Sequence, residues 1–200
     1  MMFKLGLTGS IGMGKSTTAK MFMKEGCAVW DADVAVHRLY AKSGAAVAPI
    51  EQLYPDVVID GSINRDRLRQ LISEDPEVLK KIETIVHPLV ALDRQNFISA
   101  ADAKIGVFDI PLLFETGGDT YMDAIACVYV EAETQKARVL ERGTMTEDQF
   151  ETILAKQIPI AEKRAKSDFV IETDTLEHAC AQVQSVVKAI ERQIDARSRP

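Results

Sequence analysis

The sequence predicts an α/β fold: a parallel sheet flanked by helices. Short apolar runs of strand length alternate with longer segments at helical spacing, the order that crossover connections between parallel strands produce. A glycine-rich turn also stands between the first apolar run and the first helix. A helix-rich block from about residue 45 to 100 interrupts the alternation and reads as an insertion between sheet strands.

Taken in order, residues 3–8 read as a buried first strand. Residues 16–25 carry helical spacing, and Gly26 stops that helix. Residues 28–30 form a short second strand ending at Asp31-Ala32-Asp33, and 34–40 a helix. Residues 57–63, around Asp60-Gly61, fit a turn or small hairpin, and 65–73 fit a helix. Asp75-Pro76-Glu77 opens another, with an N-cap acid followed by proline at the first helical position. Pro88 begins a further helix after His87. Residues 105–110 are a strand halted by Pro111, and 124–130 another. The helix over 134–142 is broken by Gly143, and Thr146-Glu147-Asp148-Gln149 has the form of a capping box. Residues 169–172 make the last strand, after which Asp174 caps a closing helix over 176–194. The organisation is a single domain over 1–200, with the insertion at about 45–100 and a lid at about 140–165.

Gly9-Ser10-Ile11-Gly12-Met13-Gly14-Lys15-Ser16 matches G-x-x-x-x-G-K-[ST] in full, after a strand and before a helix. The glycines let backbone N–H groups turn inward around phosphate oxygens, and the helix directs its positive dipole end at the same place. Lys15 suits the β- and γ-phosphates as a point charge. The Ser16 hydroxyl suits Mg²⁺, and Thr17 extends the nucleotide-binding set. The motif speaks more strongly for phosphate binding than for catalysis.

Other candidates each carry two readings. Asp31 and Asp33 stand at the carboxyl end of the second strand, where alternation puts them on one side with Ala32 opposite. One can orient an acceptor hydroxyl and take its proton, and Asp33 is the stronger candidate; equally, an acid there can cap the next helix. Asp109 resembles a Walker B acid or is a strand-end turn residue, and Glu115, after Pro111-Leu112-Leu113-Phe114, is ambiguous in the same way. Arg138 and Arg142 share a helix face. They sit on a lid that swings over the γ-phosphate, or on a solvated basic face; Lys163 and Arg164 are weaker candidates for the same charge. His87, pinned before a proline, contacts a substrate phosphate or caps the following helix, and the structural reading is favoured. His37 and His178 read as structural.

Composition narrows the classes. The chain is 46% hydrophobic and 27% charged, with a formal net charge of −6. A general nucleic-acid binder is more often basic, so positive charge here must be concentrated at motifs. No apolar run approaches the roughly 18–20 residues of a membrane span. The N-terminus lacks the pattern of a secretory signal, which predicts a cytoplasmic location. Cys27, Cys127 and Cys180, widely spaced, read as reduced structural thiols.

The ordered set resembles the dephospho-coenzyme A kinase family. It comprises Leu7-Thr8 with the motif above, Asp31-Ala32-Asp33, Asn64-Arg65 with Leu68, His87-Pro88, Pro111-Leu112-Leu113 with Glu115, and Gln135 with Arg138 and Arg142. The stretch from Gln157 to Lys163 and Asp168-Phe169-Val170-Ile171 complete it. The resemblance implies a P-loop nucleoside-triphosphate hydrolase fold of nucleotide-kinase type, with a helical substrate domain and a lid. It implies ATP-dependent phosphorylation of the ribose 3′-hydroxyl of dephospho-coenzyme A, the last step of coenzyme A synthesis, with Mg²⁺. By likeness Asp33 is the catalytic base, and Lys15 and Arg142 stabilise the transferring group. Arg65, His87, Pro111, Leu112, Leu113 and Glu115 line the acceptor side. The expected partner is the small-molecule acceptor, with no nucleic acid or membrane, on a monomer that allows weak self-association. Ser10 stands where the family usually has a second glycine, Gly143 where an acid is common, and Thr173 where Asn is frequent. Rival readings are another P-loop small-molecule kinase and a non-catalytic nucleotide switch; no Asn-Lys-x-Asp guanine motif supports the latter.

Overall fold

The computed structural model describes residues 2–197. Its principal sheet has the order β2-β5-β1-β6-β7, formed by β1 (Phe3–Thr8), β2 (Ala28–Asp31), β5 (Ile105–Asp109), β6 (Ala124–Tyr129) and β7 (Phe169–Glu172). The β1–β5, β1–β6 and β6–β7 pairings are parallel. Leu5, Leu7, Val107, Ala126 and Val128 are fully buried, as expected of central strands covered on both faces, which read as near-continuous apolar runs. α1 (Lys15–Lys24) packs against α9 (Leu176–Arg197) and β5. Phe22, Val183 and Ile190 fill the layer beneath, and burial pushes the Cys27 and Cys127 thiols up to about 11.

The chain divides into two compact units. One runs to Trp30 and resumes at Ala101, and it holds the sheet core. The other is Asp31–Ala100. The second unit contains α2 (Ala32–Tyr40), α3 (Val47–Leu53), the antiparallel pair β3 (Val58–Ile59) and β4 (Ser62–Ile63), α4 (Arg65–Glu74) and α5 (Glu77–Ala100). Leu39, Ile50, Val57, Ile63, Leu68, Val78, Ile82 and Val86 form its core. Asp60 and Gly61, at φ 52° and 76°, make the tight turn that resolves residues 57–63 as a hairpin. The Asn64 side chain caps α4 by accepting from the Asp66 and Arg67 N–H groups.

Three expectations give way. Pro88 does not begin a helix; it lies inside the 24-residue α5, and His87 is helical, not extended. Proline removes one backbone bond there, yet Val78, Ile82 and Val86 with Ile85 and Leu89 form one apolar stripe across the site. Packing of that stripe outweighs the local cost. α2 begins at Ala32, so strand alternation does not govern Asp31 and Asp33; the Asp31 side chain is the N-cap, accepting from Val34 N–H at 3.0 Å. At α9 the Thr175 hydroxyl accepts the His178 N–H at 3.1 Å, and Asp174 instead pairs with the His178 ring at 2.7 Å. Beyond α6 (Ala132–Glu141), α7 (Glu147–Ala155) carries both halves of the capping box. The short α8 (Ile160–Ala165), following Pro159, was not foreseen.

Candidate active site

The phosphate loop joins β1 to α1. Gly14 occupies the N-cap position of α1 at φ 85° with no side-chain cap, and no acid stands in the first turn. The helix therefore presents free N–H groups and its positive dipole end. Gly12 has φ 79°, and a Cβ there would lie 2.4 Å from Val139 Cγ2 and 3.2 Å from the Gln135 carbonyl. Only glycine combines that backbone with that approach. Ser10 is not among the residues of positive φ, so serine is unstrained where glycine is common. Its hydroxyl is buried and has no hydrogen-bond partner.

Lys15 is ion-paired with Asp109, whose side chain is 1% exposed. Asp109 ends β5 opposite Leu7 of β1, so sheet register alone carries this acid to the phosphate loop. Ser16 and Thr17 are exposed on the first turn of α1. A half-buried ammonium against a buried carboxylate, beside an exposed hydroxyl, is a donor set suited to a triphosphate carrying a divalent cation.

The loop is stitched to its surroundings from several sides. Gln135 Nε2 of α6 donates to the Ile11 carbonyl at 2.7 Å, and the Ile11 N–H donates to Gln157 Oε1 at 3.4 Å. The Thr173 hydroxyl, just past β7, donates to the Met13 carbonyl at 2.8 Å. Arg138 donates to the Thr173 carbonyl at 2.7 Å and to its hydroxyl at 3.2 Å. Thr173 is thus a fixed bridge between the phosphate loop and α6.

Beside the loop lies an open cleft of about 260 Å³ lined by Gly12, Gly14, Thr17, Arg138, Arg142 and residues 173–176. Arg138 spends its guanidinium on the cleft wall, whereas Arg142, the C-cap of α6, is exposed at its edge. Gly143, at φ 62°, ends that helix in the left-handed conformation, which accounts for glycine at a position where an acid is common. Asp174 has a carboxyl held below its ordinary value, chiefly by the Thr175 N–H and then by the His178 ring.

The remaining candidates fall elsewhere. In the unit Asp31–Ala100, Asp33 is exposed in the first turn of α2 and takes no part in capping it. Arg65 lies 5.8 Å from the Tyr40 ring centroid and lines an open cavity of about 430 Å³ with His37, Tyr40 and Lys42. His87 is exposed on α5 and lies outside that lining. After β5, Pro111 is half-buried, Leu112 exposed and Leu113 fully buried. Glu115 turns inward, accepting the Ile158 N–H at 3.0 Å and pairing with Lys163 at 2.7 Å. Lys163 is fully buried, and Arg164 stacks over the Tyr129 ring at 3.9 Å. Sequence reasoning missed the bridging by Thr173 and the inward turn of Lys163. The latter had one visible signal, a lysine three residues after Ile160 on the face that α8 packs against β6.

A family model described as dephospho-CoA kinase matches residues 3–179. A dephospho-CoA kinase of Ruegeria pomeroyi is 65% identical over 190 residues, covering 95% of this chain and 96% of that protein. One of Cereibacter sphaeroides is 52% identical over 194 residues, covering 97% and 98%. A solved structure from Thermus thermophilus superposes with a TM-score of 0.85 at 29% identity, covering 94% of this chain and 97% of that one. The dephospho-CoA kinase of Campylobacter jejuni gives 0.70 at 23% identity, covering 96% and 99%, which speaks to the fold. Loop, sheet register and comparisons agree: the chain belongs to the dephospho-CoA kinase family.

Proposed function

We propose that this protein transfers the γ-phosphoryl group of ATP to the ribose 3′-hydroxyl of dephospho-coenzyme A, giving coenzyme A and ADP. The observation that carries the reading is a family match over residues 3–179 laid on a complete phosphate loop. Phosphoryl transfer needs positioning and charge stabilisation more than covalent participation by the protein. The loop N–H groups and the α1 terminus hold the phosphates, Lys15 follows the developing charge, and Arg142 at the cleft edge supplies a second cation on a lid of about residues 140–165. Mg²⁺ bound with the nucleotide would be held by Ser16 and Asp109 and would neutralise phosphate charge. Asp33, exposed and free of the capping role that Asp31 fills, orients the acceptor hydroxyl and takes its proton. Arg65 and His87 serve the acceptor side, with Pro111, Leu112, Leu113 and Glu115 supporting it.

Among the described residues no helix is long and apolar enough to cross a membrane, and a cytoplasmic monomer acting on a small molecule is part of the same proposal. The test is an acceptor panel. With ATP and Mg²⁺, ADP formation should respond to dephospho-coenzyme A and stay near background with shikimate, gluconate, nucleosides and nucleoside monophosphates. A stronger response to any of those would overturn the substrate assignment and leave a P-loop kinase of another class.

A further inference from the structure

The ammonium of Lys163 is fully buried, 2.7 Å from Glu115 Oε1 and 3.2 Å from the Pro111 carbonyl. The same carbonyl accepts the Thr8 hydroxyl at 3.2 Å, at the last residue of β1. Glu115 Oε1 accepts the Ile158 N–H at 3.0 Å, and the neighbouring Gln157 Oε1 accepts the N–H of Ile11 at 3.4 Å. The contacts close a ring from Thr8 through Pro111, Lys163, Glu115 and the segment 157–158 to Ile11. Thr8 and Ile11 are the two residues that bracket Gly9-Ser10, the first turn of the phosphate loop.

A buried ion pair does little for net stability against a hydrophobic replacement, because desolvation offsets attraction. Its use here is geometric. We propose that Lys163 is a positioning residue for nucleotide binding, acting through Glu115 and Pro111 to fix both ends of the Gly9-Ser10 turn. It is not a cation for the transferring phosphoryl group: it has no exposed surface, and its donors are directed at protein acceptors. Glu115 belongs to the same device. Burial alone would push its carboxyl up, but the Lys163 ammonium and the Ile158 N–H outweigh burial and hold it low. The inference rests on the phosphate loop being the nucleotide site.

The experiment measures ADP affinity calorimetrically and melting temperature for the full chain and four variants. Lys163→Met should weaken ADP binding roughly tenfold, since it severs the ring at both Glu115 and the Pro111 carbonyl, and should lower the melting temperature by leaving the Glu115 carboxylate buried without its partner. Lys163→Met combined with Glu115→Gln removes both charges and should recover melting temperature, while ADP binding stays weak because the bond to the Pro111 carbonyl is still missing. Gln157→Ala, at a half-exposed position, should weaken ADP severalfold with little change in melting, and it keeps the test open should Lys163→Met not fold. Ile190→Ala, a core truncation in α9, should lower the melting temperature and leave ADP affinity unchanged. ADP affinity at the wild-type value in Lys163→Met, or in Gln157→Ala should Lys163→Met not fold, would overturn the inference. So would a loss in Lys163→Met no larger than in Ile190→Ala. Failure of the unsubstituted chain to bind ADP would instead remove the nucleotide-site reading, and this inference with it.

Discussion

Replacing Thr173 by valine removes a hydroxyl and keeps the side-chain shape. Thr173 is 8% exposed, and its hydroxyl donates to the Met13 carbonyl at 2.8 Å while accepting from Arg138 at 3.2 Å. Valine leaves the Met13 carbonyl without that donor inside the phosphate loop, and an unsatisfied buried polar group costs about 1–3 kcal/mol. Arg138 keeps its 2.7 Å bond to the Thr173 carbonyl, so the cleft wall loses only part of its anchorage. The melting temperature should fall by roughly 2–4 °C for each kcal/mol lost. Because the freed carbonyl belongs to the loop, ADP should also bind up to about tenfold more weakly, equivalent to about 1.4 kcal/mol. Thr173→Ser keeps the hydroxyl and deletes one methyl, a loss of about 0.8 kcal/mol of burial at most, so its ADP affinity should stay close to wild type. Scanning calorimetry and ADP titration on the three proteins decide the matter. Wild-type melting and affinity in Thr173→Val, or equal ADP losses in the Val and Ser variants, would refute the bridging role.

Three further expectations can be checked together. Asp33→Asn should bind ATP nearly normally and lose about 10²–10⁴-fold in turnover, whereas Asp31→Ala should cost about 1 kcal/mol in stability as a lost helix cap; near-wild-type turnover in Asp33→Asn would remove it as the base. Gly12→Ala should abolish detectable nucleotide binding, because the left-handed backbone costs about 1–2 kcal/mol and the new methyl meets Val139 Cγ2 at 2.4 Å; retained affinity by titration would contradict the loop geometry. Glu115, whose folded carboxyl lies below its ordinary 4.5, contributes stability that is complete above about pH 5 and is lost as pH falls through the depressed value. Chemical denaturation from about pH 5 to pH 3 should therefore show a shallower acid dependence in Glu115→Gln than in the unsubstituted chain.

Features whose cause is local were legible in the sequence. The β1 run and the glycine motif specify a strand, a turn and a helix from side-chain size and backbone freedom, and the capping box at Thr146 and Gln149 needs only its own four residues. Features whose cause lies far along the chain were not. Pro88 reads as a helix start until the stripe through Val78, Ile82 and Val86 is seen to pack as one surface. Asp31 and Asp33 follow strand alternation only while the strand lasts, and it ends at Asp31, before alternation can reach Asp33. Lys163 reads as surface charge because lysine is rarely buried without a partner, and its partner stands 48 positions away in Glu115. Thr173 reaches across 160 positions to Met13. In the site, the loop and its cations were visible as residue types, while the bonds that hold the loop in place depend on long-range pairing.

The most direct measurement incubates the purified protein with ATP, Mg²⁺ and dephospho-coenzyme A and follows ADP and coenzyme A by mass. Transfer to dephospho-coenzyme A predicts equal amounts of the two products, with little ADP when the acceptor is omitted. ADP formed at the same rate without acceptor, or no coenzyme A while ATP still binds, would contradict it.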